Sequence, residues 1–438
     1  MNDFINENKY NVLSMNGFSE FQKDMNDHNI LDINGGVPIL NIPGIIHQDF
    51  YEEIGNVSVR ILGIIYKVVN ETFSVEGKSL FKKMGFNEDE IDVFLKTFGD
   101  NTNLMSRCDV MLDQEKKDFK ILEFNVDSSV GGMEIAQVNE HMLRLSLYKD
   151  YFNSNDFYFV DPLEEFAKML YKNSKNMGVK TIAIVDSEEY IDGYVWSLGI
   201  MKSYLEKKGF SVVIGTQKDL ELRDDFLFVN NKKIDLVYRV FLNEDVKSNY
   251  SSLLPMYEAY KNDNLIIVSG LHTEIYSNKI VFAMMYDKNV QSILSSDDVK
   301  LIEKCIPYTG LVEIGIKNYL IKNRDKLVLK PVSGYGGHGI YLGWEYDEDA
   351  WEEVISQIIE DRTKYIFQER VYPAEEFQLK VVENRCVSEK YISTWGFYIF
   401  DNKLCGSMYR GQNVSSGEVV NAAQGAGMTS VFIEKEDL

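Results

Sequence analysis

The chain has 438 residues, of which 45% are hydrophobic and 13% aromatic, so it predicts two or three folded domains and excludes a fibrous or disordered polymer. A formal net charge of -22 argues against nucleic acid or an anionic membrane surface as a main partner, since both call for basic patches. Acidity of this kind could favour cationic substrates, although solubility alone is the commoner reason for it.

The first elements read as helical. Glu52 to Phe73 is predicted as a largely apolar helix, and Asn87 as the cap of a second one over Glu88 to Phe98. Residues 119–125 read as a strand, Gly131 and Gly132 end that region, and helical periodicity resumes from Met133 to Tyr148. From about residue 155 short apolar strands alternate with helices. Thr181 to Asp186 and Phe210 to Gly215 are predicted strands around a helix that Gly209 ends. Phe226 to Asn230 and Ile234 to Phe241 read as a hairpin, followed by a helix near 249–261 and a strand at Leu265 to Gly270. This alternation predicts a mainly parallel α/β unit. Its first turn, Asp186-Ser-Glu-Glu, lacks the glycine fingerprint of a dinucleotide site. The remainder reads as a helix after residue 277, a lysine-glycine hairpin, and strands at Tyr365 to Arg370, Phe377 to Glu383, Ile399-Phe400 and Gly406 to Arg410.

Four cysteines without metal-ligand spacing give no disulfide framework or zinc site. The N-terminus lacks the basic and apolar regions of a signal peptide, and no apolar run spans a bilayer, so a soluble cytoplasmic protein is expected. A homodimer is the base-rate expectation for its assembly.

Leu-Val-Leu-Lys330-Pro-Val-Ser333-Gly334-Tyr-Gly336-Gly337-His338-Gly339-Ile is the most informative stretch. A strand that delivers a cation into a glycine loop suits a polyphosphate, because backbone N–H groups approach with no Cβ in the way. On glycine content alone a sheet-edge hairpin reads equally well. Glu123 and Asn125 lie two apart, so a strand presents their oxygens on one face, and Asp109 offers a further carboxylate from a neighbouring strand. Hard oxygens of this kind suit Mg²⁺, which takes its other ligands from water and phosphate. A solvated strand face is the plainer reading of Glu-x-Asn by itself. Lys279 opens an apolar helix and opposes its macrodipole, a mild oddity that points to an anion-binding role, although a surface lysine is the default reading in isolation. Gln368, Glu369 and Val371 follow an apolar run whose end can read an adenine edge and a ribose hydroxyl, or can simply leave the core. Arg410 suits a transferring phosphoryl group or a carboxylate. Arg239 reads as a substrate-carboxylate partner or, more plainly, as a structural ion pair.

Taken in order, Arg107-x-Asp109, Glu123-x-Asn125-x-Asp127, Ser277-Asn278-Lys279, Lys330-Pro331 with its loop, Gln368-Glu369 and the segment Ser393 to Arg410 resemble the circularly permuted ATP-grasp ligases, the glutathionylspermidine synthetase-like family. The permuted branch is indicated because the carboxylate and asparagine set precedes both lysines. The resemblance spans roughly residues 100–427. It implies an α/β fold with α+β elements, a circularly permuted ATP-grasp core carrying an inserted Rossmann-like pre-ATP-grasp domain. Expected divisions are 1–154 (helical region plus the metal-ligand part of the core), 155–275 (the substrate domain) and 276–438 (the nucleotide-binding part). It also implies ATP and Mg²⁺ as cofactors. Asp109, Glu123 and Asn125 would bind the metal. Lys279, Lys330, Ser333, Gly334, Gly336, Gly337, His338, Gly339, Gln368, Glu369 and Val371 would bind the nucleotide, and Arg107 and Arg410 would act at the transferring phosphoryl. The expected reaction is amide formation through an acylphosphate, on small-molecule carboxylate and amine substrates or a carrier protein. The chain shows no amidase domain beside these motifs, and its loop differs from that of the synthetase. The resemblance therefore reaches ligase chemistry and does not name glutathione or spermidine. A small-molecule kinase and a non-catalytic ATP-binding module are the alternatives.

Overall fold

In the helix Gln48–Glu76, residues Phe50, Ile54, Ser58, Ile61, Ile65 and Val68 are buried at three- and four-residue spacing, one continuous stripe. It extends beyond both ends of the predicted span and stops at Gly77, whose φ of 56° no β-branched residue would accept. The computed structural model describes residues 21, 23–25, 27, 37–100, 104–113, 116–127, 130–145, 148–149, 152, 156–174, 178–193, 195–334, 336–361, 364–382 and 385–435. Glu383, the end of a predicted strand, residues 146–147 within a predicted helix, and Tyr335 in the glycine loop lie outside these.

The helix packs on a six-stranded sheet. Its path runs Gly427–Thr429, Lys403–Asn413, Arg385–Phe400, Met105–Asp113, Asp118–Asn125, and Glu376–Val382 pairs with Arg385–Phe400. Every pairing is antiparallel. Early and late parts of the chain thus build one sheet. Phe50 meets Phe119 and Tyr51 meets Phe397 across the helix–sheet interface, with ring centroids 6.0 and 5.6 Å apart. Asn87 caps the shorter helix Glu88–Phe94 in a reciprocal box with Glu90.

A second, antiparallel sheet orders Thr309–Leu311, Tyr365–Glu369, Leu327–Pro331 and Tyr341–Leu342. Leu327, Leu329, Tyr365 and Phe367 bury one face against Trp351 and Ile355 of the helix Glu348–Glu360. Val328, Lys330 and Gln368 alternate onto the other face.

The third sheet is parallel, in the order Ile266–Val268, Leu236–Arg239, Thr181–Asp186, Ser211–Thr216. Here the predicted hairpin is corrected. Phe226–Val229 pairs with Leu220–Arg223 and with Lys232–Lys233, whereas Leu236–Arg239 joins the parallel sheet. The reason is burial: Leu236, Val237, Tyr238 and Arg239 are all buried, the mark of a strand covered on both faces rather than of a half-exposed hairpin arm.

Arg239 is completely buried and holds Asp127 at 2.6 Å, with Nε and Nη1 donating to the carbonyls of Ser269 and Phe241. It is structural: it ties the parallel sheet to the loop that follows Asp118–Asn125. Arg239→Met strips the cation from a carboxylate that is itself only 1% exposed. Urea unfolding should lose about 3 kcal/mol. An unchanged midpoint would remove Arg239 from this role.

Candidate active site

The strand Asp118–Asn125 carries the site by way of a bulge. Asp109 pairs with Glu123 and Val110 with Ile121, so Leu122 is the extra residue. Phe119 and Ile121 therefore face the core with Phe124, while Glu123 and Asn125 turn to the opposite face. Arg107, Asp109 and Met111 share that face, opposite Cys108, Val110 and Leu112 in the core. Across the sheet Thr394, Arg410, Met408 and Met428 line the same cavity.

This cavity, about 920 Å³, lies between the three sheets. It brings together Arg107, Asp109, Glu123, Asn125, Lys279, Lys330, Gly334, Gly336, Gly337, His338, Gln368, Glu369, Val371 and Arg410 from the sequence-predicted set. Ser333 and Gly339 are not brought in: both are exposed, and Gly339 turns towards Tyr365, whose hydroxyl would stand 2.9 Å from an added Cβ. Gly334, Gly336, Gly337 and Gly339 all have φ between 70° and 113°, the left-handed conformation that only glycine adopts at little cost.

Asp109 is the electrostatic centre of one wall and is 1% exposed. Arg107 donates to both of its oxygens, through Nε at 2.6 Å and Nη2 at 3.0 Å. Arg410 Nη2 reaches Oδ2 at 2.6 Å, and Asn125 Nδ2 reaches it at 3.2 Å. Burial pushes the Asp109 carboxyl up, but the two guanidiniums outweigh it and hold it below the usual carboxylate range. Arg107 also donates to the carbonyl of Val130. Gly396 allows this layout, since a Cβ there would stand 2.6 Å from Arg107 Cδ.

Facing this wall are the two lysines. Lys279 caps the helix Ile280–Met285; its N–H bonds the Val332 carbonyl at 2.9 Å, and its Nζ lies 3.1 Å from the Gly334 carbonyl and 3.5 Å from Glu123 Oε2. Lys330 Nζ donates to Gln368 Oε1 at 2.7 Å, and Gln368 Nε2 donates to Thr309 Oγ1 at 3.2 Å. Gln368 is thus engaged in aiming Lys330, a contact its place in the sequence did not suggest. Burial lowers the Lys330 ammonium to about 8, against the pull of Glu123, and Lys279 adds repulsion.

Sequence reasoning missed the cover of this cavity. Glu418 to Ala422 line it, Gln424 Nε2 reaches the Gly336 carbonyl at 3.4 Å, and Arg370 binds both Glu418 oxygens, at 3.2 and 3.0 Å. Arg370 also lies over the Trp344 ring, 3.7 Å from its centroid. The glycines after Glu418 were the only local signal of a turn there.

Residues 200–394 match the family model described as "Circularly permuted ATP-grasp type 2". An uncharacterised protein of Mycobacterium tuberculosis is 22% identical over 350 residues, covering 74% of this chain. One from Mycobacterium leprae is also 22% identical, over 345 residues. The chain spans 59% and 58% of the length of these two relatives. A Frankia casuarinae protein provisionally named glutamate–cysteine ligase 2-2 is 26% identical over 154 residues, 32% of this chain and 16% of that protein. Among solved structures, the apo form of a glutathione synthetase-like effector from Globodera pallida superposes with a TM-score of 0.60 at 12% identity, covering 91% of this chain and 90% of that one. The family match over residues 200–394 and this full-length superposition agree: the chain has a mixed α/β, circularly permuted ATP-grasp fold.

Proposed function

We propose that the protein is an ATP-dependent carboxylate–amine ligase. The observation that carries this reading is one cavity in which Asp109, Glu123, Asn125 and two arginines face Lys279, Lys330 and the glycine loop. The match of residues 200–394 to the permuted ATP-grasp type 2 family supports it, as does the partial similarity to the Frankia protein, given that protein's name.

In this reading Lys279 and Lys330 neutralise the triphosphate, and N–H groups of the glycine loop approach it without a Cβ. Arg107 and Arg410, pinned by Asp109, present fixed positive charge to the transferring phosphoryl. Among the described residues, Arg410 Nε is buried and has no hydrogen-bond partner. A substrate carboxylate oxygen attacks the γ-phosphorus, forming an acylphosphate and releasing ADP. An amine nitrogen then attacks the acyl carbon, loses a proton and displaces phosphate. The protein's part is positioning and charge neutralisation, with no side-chain nucleophile required.

The donor set fits Mg²⁺. Glu123 and Asn125 line the cavity, and Asp109 Oδ1, with Arg107 as its one hydrogen-bond donor among the described residues, keeps a lone pair. Among the described residues no group of three or more His, Cys, Asp or Glu is arranged for a metal. A divalent ion would therefore rest on two carboxylates, one amide oxygen and the nucleotide's own phosphates, where it would neutralise their charge.

An ADP-release screen over pooled carboxylates and amines, followed by product mass, tests the reading. An amide with free phosphate is expected; a stable phosphoester as the sole product would overturn it.

Lys330 gives the site a pH dependence. With its ammonium at about 8 in the free protein, a bound triphosphate favours the charged form and raises that value. Affinity for ATP is therefore full below about pH 8 and falls above it, by roughly tenfold per pH unit at most. Calorimetry at pH 7 and pH 9 measures the drop, with proton uptake on binding at the higher pH. An affinity flat across that range contradicts the assignment.

A further inference from the structure

The cavity continues beyond the nucleotide residues to the carboxyl edge of the parallel sheet. Thr181–Asp186 sits between Ser211–Thr216, the next strand in the chain, and Leu236–Arg239, which comes later. The winding reverses at this point, and a crevice outside the strand ends opens where it does. Asp186 ends one of the two strands, and Tyr238 lies next to the end of the other, with Asp245 beyond it; all three line the cavity. Glu134, Tyr190 and Ser197 complete this end.

Asp186 is 2% exposed. Its Oδ1 accepts the Ser187 N–H at 2.7 Å, while its Oδ2 has no hydrogen-bond partner among the described residues. Native proteins seldom leave a buried carboxylate oxygen in that condition. Nearby, Asp245 Oδ2 accepts the Leu242 N–H at 2.7 Å, and Glu134 accepts from Ser197 Oγ. The Lys and Arg residues lining the cavity, among the described residues, are Arg107, Lys279, Lys330 and Arg410. The two arginines are committed to Asp109, and the lysines contact Glu123 and Gln368. Arg239, whose charge also reaches Asp245, is paired with Asp127, so the net charge at the switch point is left to Asp186, Asp245 and Glu134.

We propose that this end of the cavity is a subsite for an organic ammonium group that the reaction does not consume, with Asp186 as its direct partner and Glu134 and Asp245 supplying the surrounding negative field. The proposal rests on the ligase reading in taking that group as part of the acceptor substrate, on an arm beyond the reacting amine. Leu198, Met201 and the Tyr190 and Tyr238 rings give the arm an apolar wall. Burial and the Asp245 charge push Asp186 up to about 6, and an ammonium beside it would reverse that push.

Calorimetric titration of the full chain with 1,4-diaminobutane and with n-butylamine is the test, run beside the ADP-release screen with the same two amines as acceptors. The diamine should bind ~10–100-fold more tightly than the monoamine, the range for a hydrogen bond to a charged group. Asp186→Asn and, to a smaller extent, Asp245→Asn should shrink that difference, with near-native circular dichroism as the fold control. Equal affinity for the two amines in the wild-type chain, or a preference that survives Asp186→Asn, overturns the subsite. If no carboxylate–amine pair elicits ADP release while diamine binding still depends on Asp186, the ligase reading falls and the ammonium subsite stands. If both amines are joined with equal efficiency, the ligase reading stands and the subsite falls.

Discussion

Lys330→Met is expected to lower kcat/KM for ATP-dependent ADP release by ~10²–10³-fold, the loss seen when one preorganised donor to a developing charge is removed. The side chain stands at the centre of the geometry: its ammonium is held by Gln368, faces Glu123 electrostatically and lies on the cavity face of its strand. Methionine keeps the length of the stem and the packing beside Val328 but supplies no charge. Stability should change little or rise, because a partly desolvated ammonium with its value lowered to about 8 is removed. Gln368→Leu should produce a smaller loss through misaimed Lys330. Steady-state ADP release and thermal unfolding of both variants check this. Unimpaired turnover in a folded Lys330→Met protein would exclude Lys330 from the phosphate site.

Asp109→Asn is expected to damage fold and turnover together. It removes the one carboxylate shared by two guanidiniums, Arg107 and Arg410, leaving both beside a neutral amide in a buried wall. Breaking a single buried pair costs about 3–5 kcal/mol, and with two partners the upper end applies, about 5 kcal/mol. Folded-state Asp109 titrates below its unfolded value. Its contribution to stability is therefore present at neutral pH and is lost as pH falls through its depressed folded value. The variant should lose much of the acid sensitivity that this group confers. Folding stability measured by urea unfolding at pH 7 and at about pH 2.5, inside the window between the unfolded and folded values, reads both effects. A variant as stable as the parent at pH 7 would show that the two arginines do not depend on this carboxylate.

Chemistry-bearing residues were more legible in the sequence than the architecture that aims them. Lys330 announced itself because a short apolar run ends in a cation and passes into glycines, and its side chain lines the cavity. Glu123 and Asn125 were legible as a same-face pair. The bulge at Leu122, which turns that pair away from Phe119 and Ile121, was not, because it exists only in the register with Met105–Asp113. The Asp109–Arg410 contact joins residues 301 apart in the chain, and no local pattern encodes it. Arg385–Phe400 is 16 residues long, yet it was read only at Ile399 and Phe400. Its earlier part carries Glu389 and Lys390 and escapes an apolar-run criterion, whereas pairing with Glu376–Val382 and Lys403–Asn413 makes it a strand. The misplaced hairpin arm at 234–241 has the same origin: strand propensity is local, and the choice of partner is not.

The position of the nucleotide is the most direct measurement. A structure of the protein with Mg²⁺ and a non-hydrolysable ATP analogue should show the terminal phosphate between the Lys279 and Lys330 ammonium groups and the wall of Asp109, Glu123 and Asn125, with the base towards Glu369 and Val371. A triphosphate bound outside that cavity, or within it but touching neither lysine, would contradict the account.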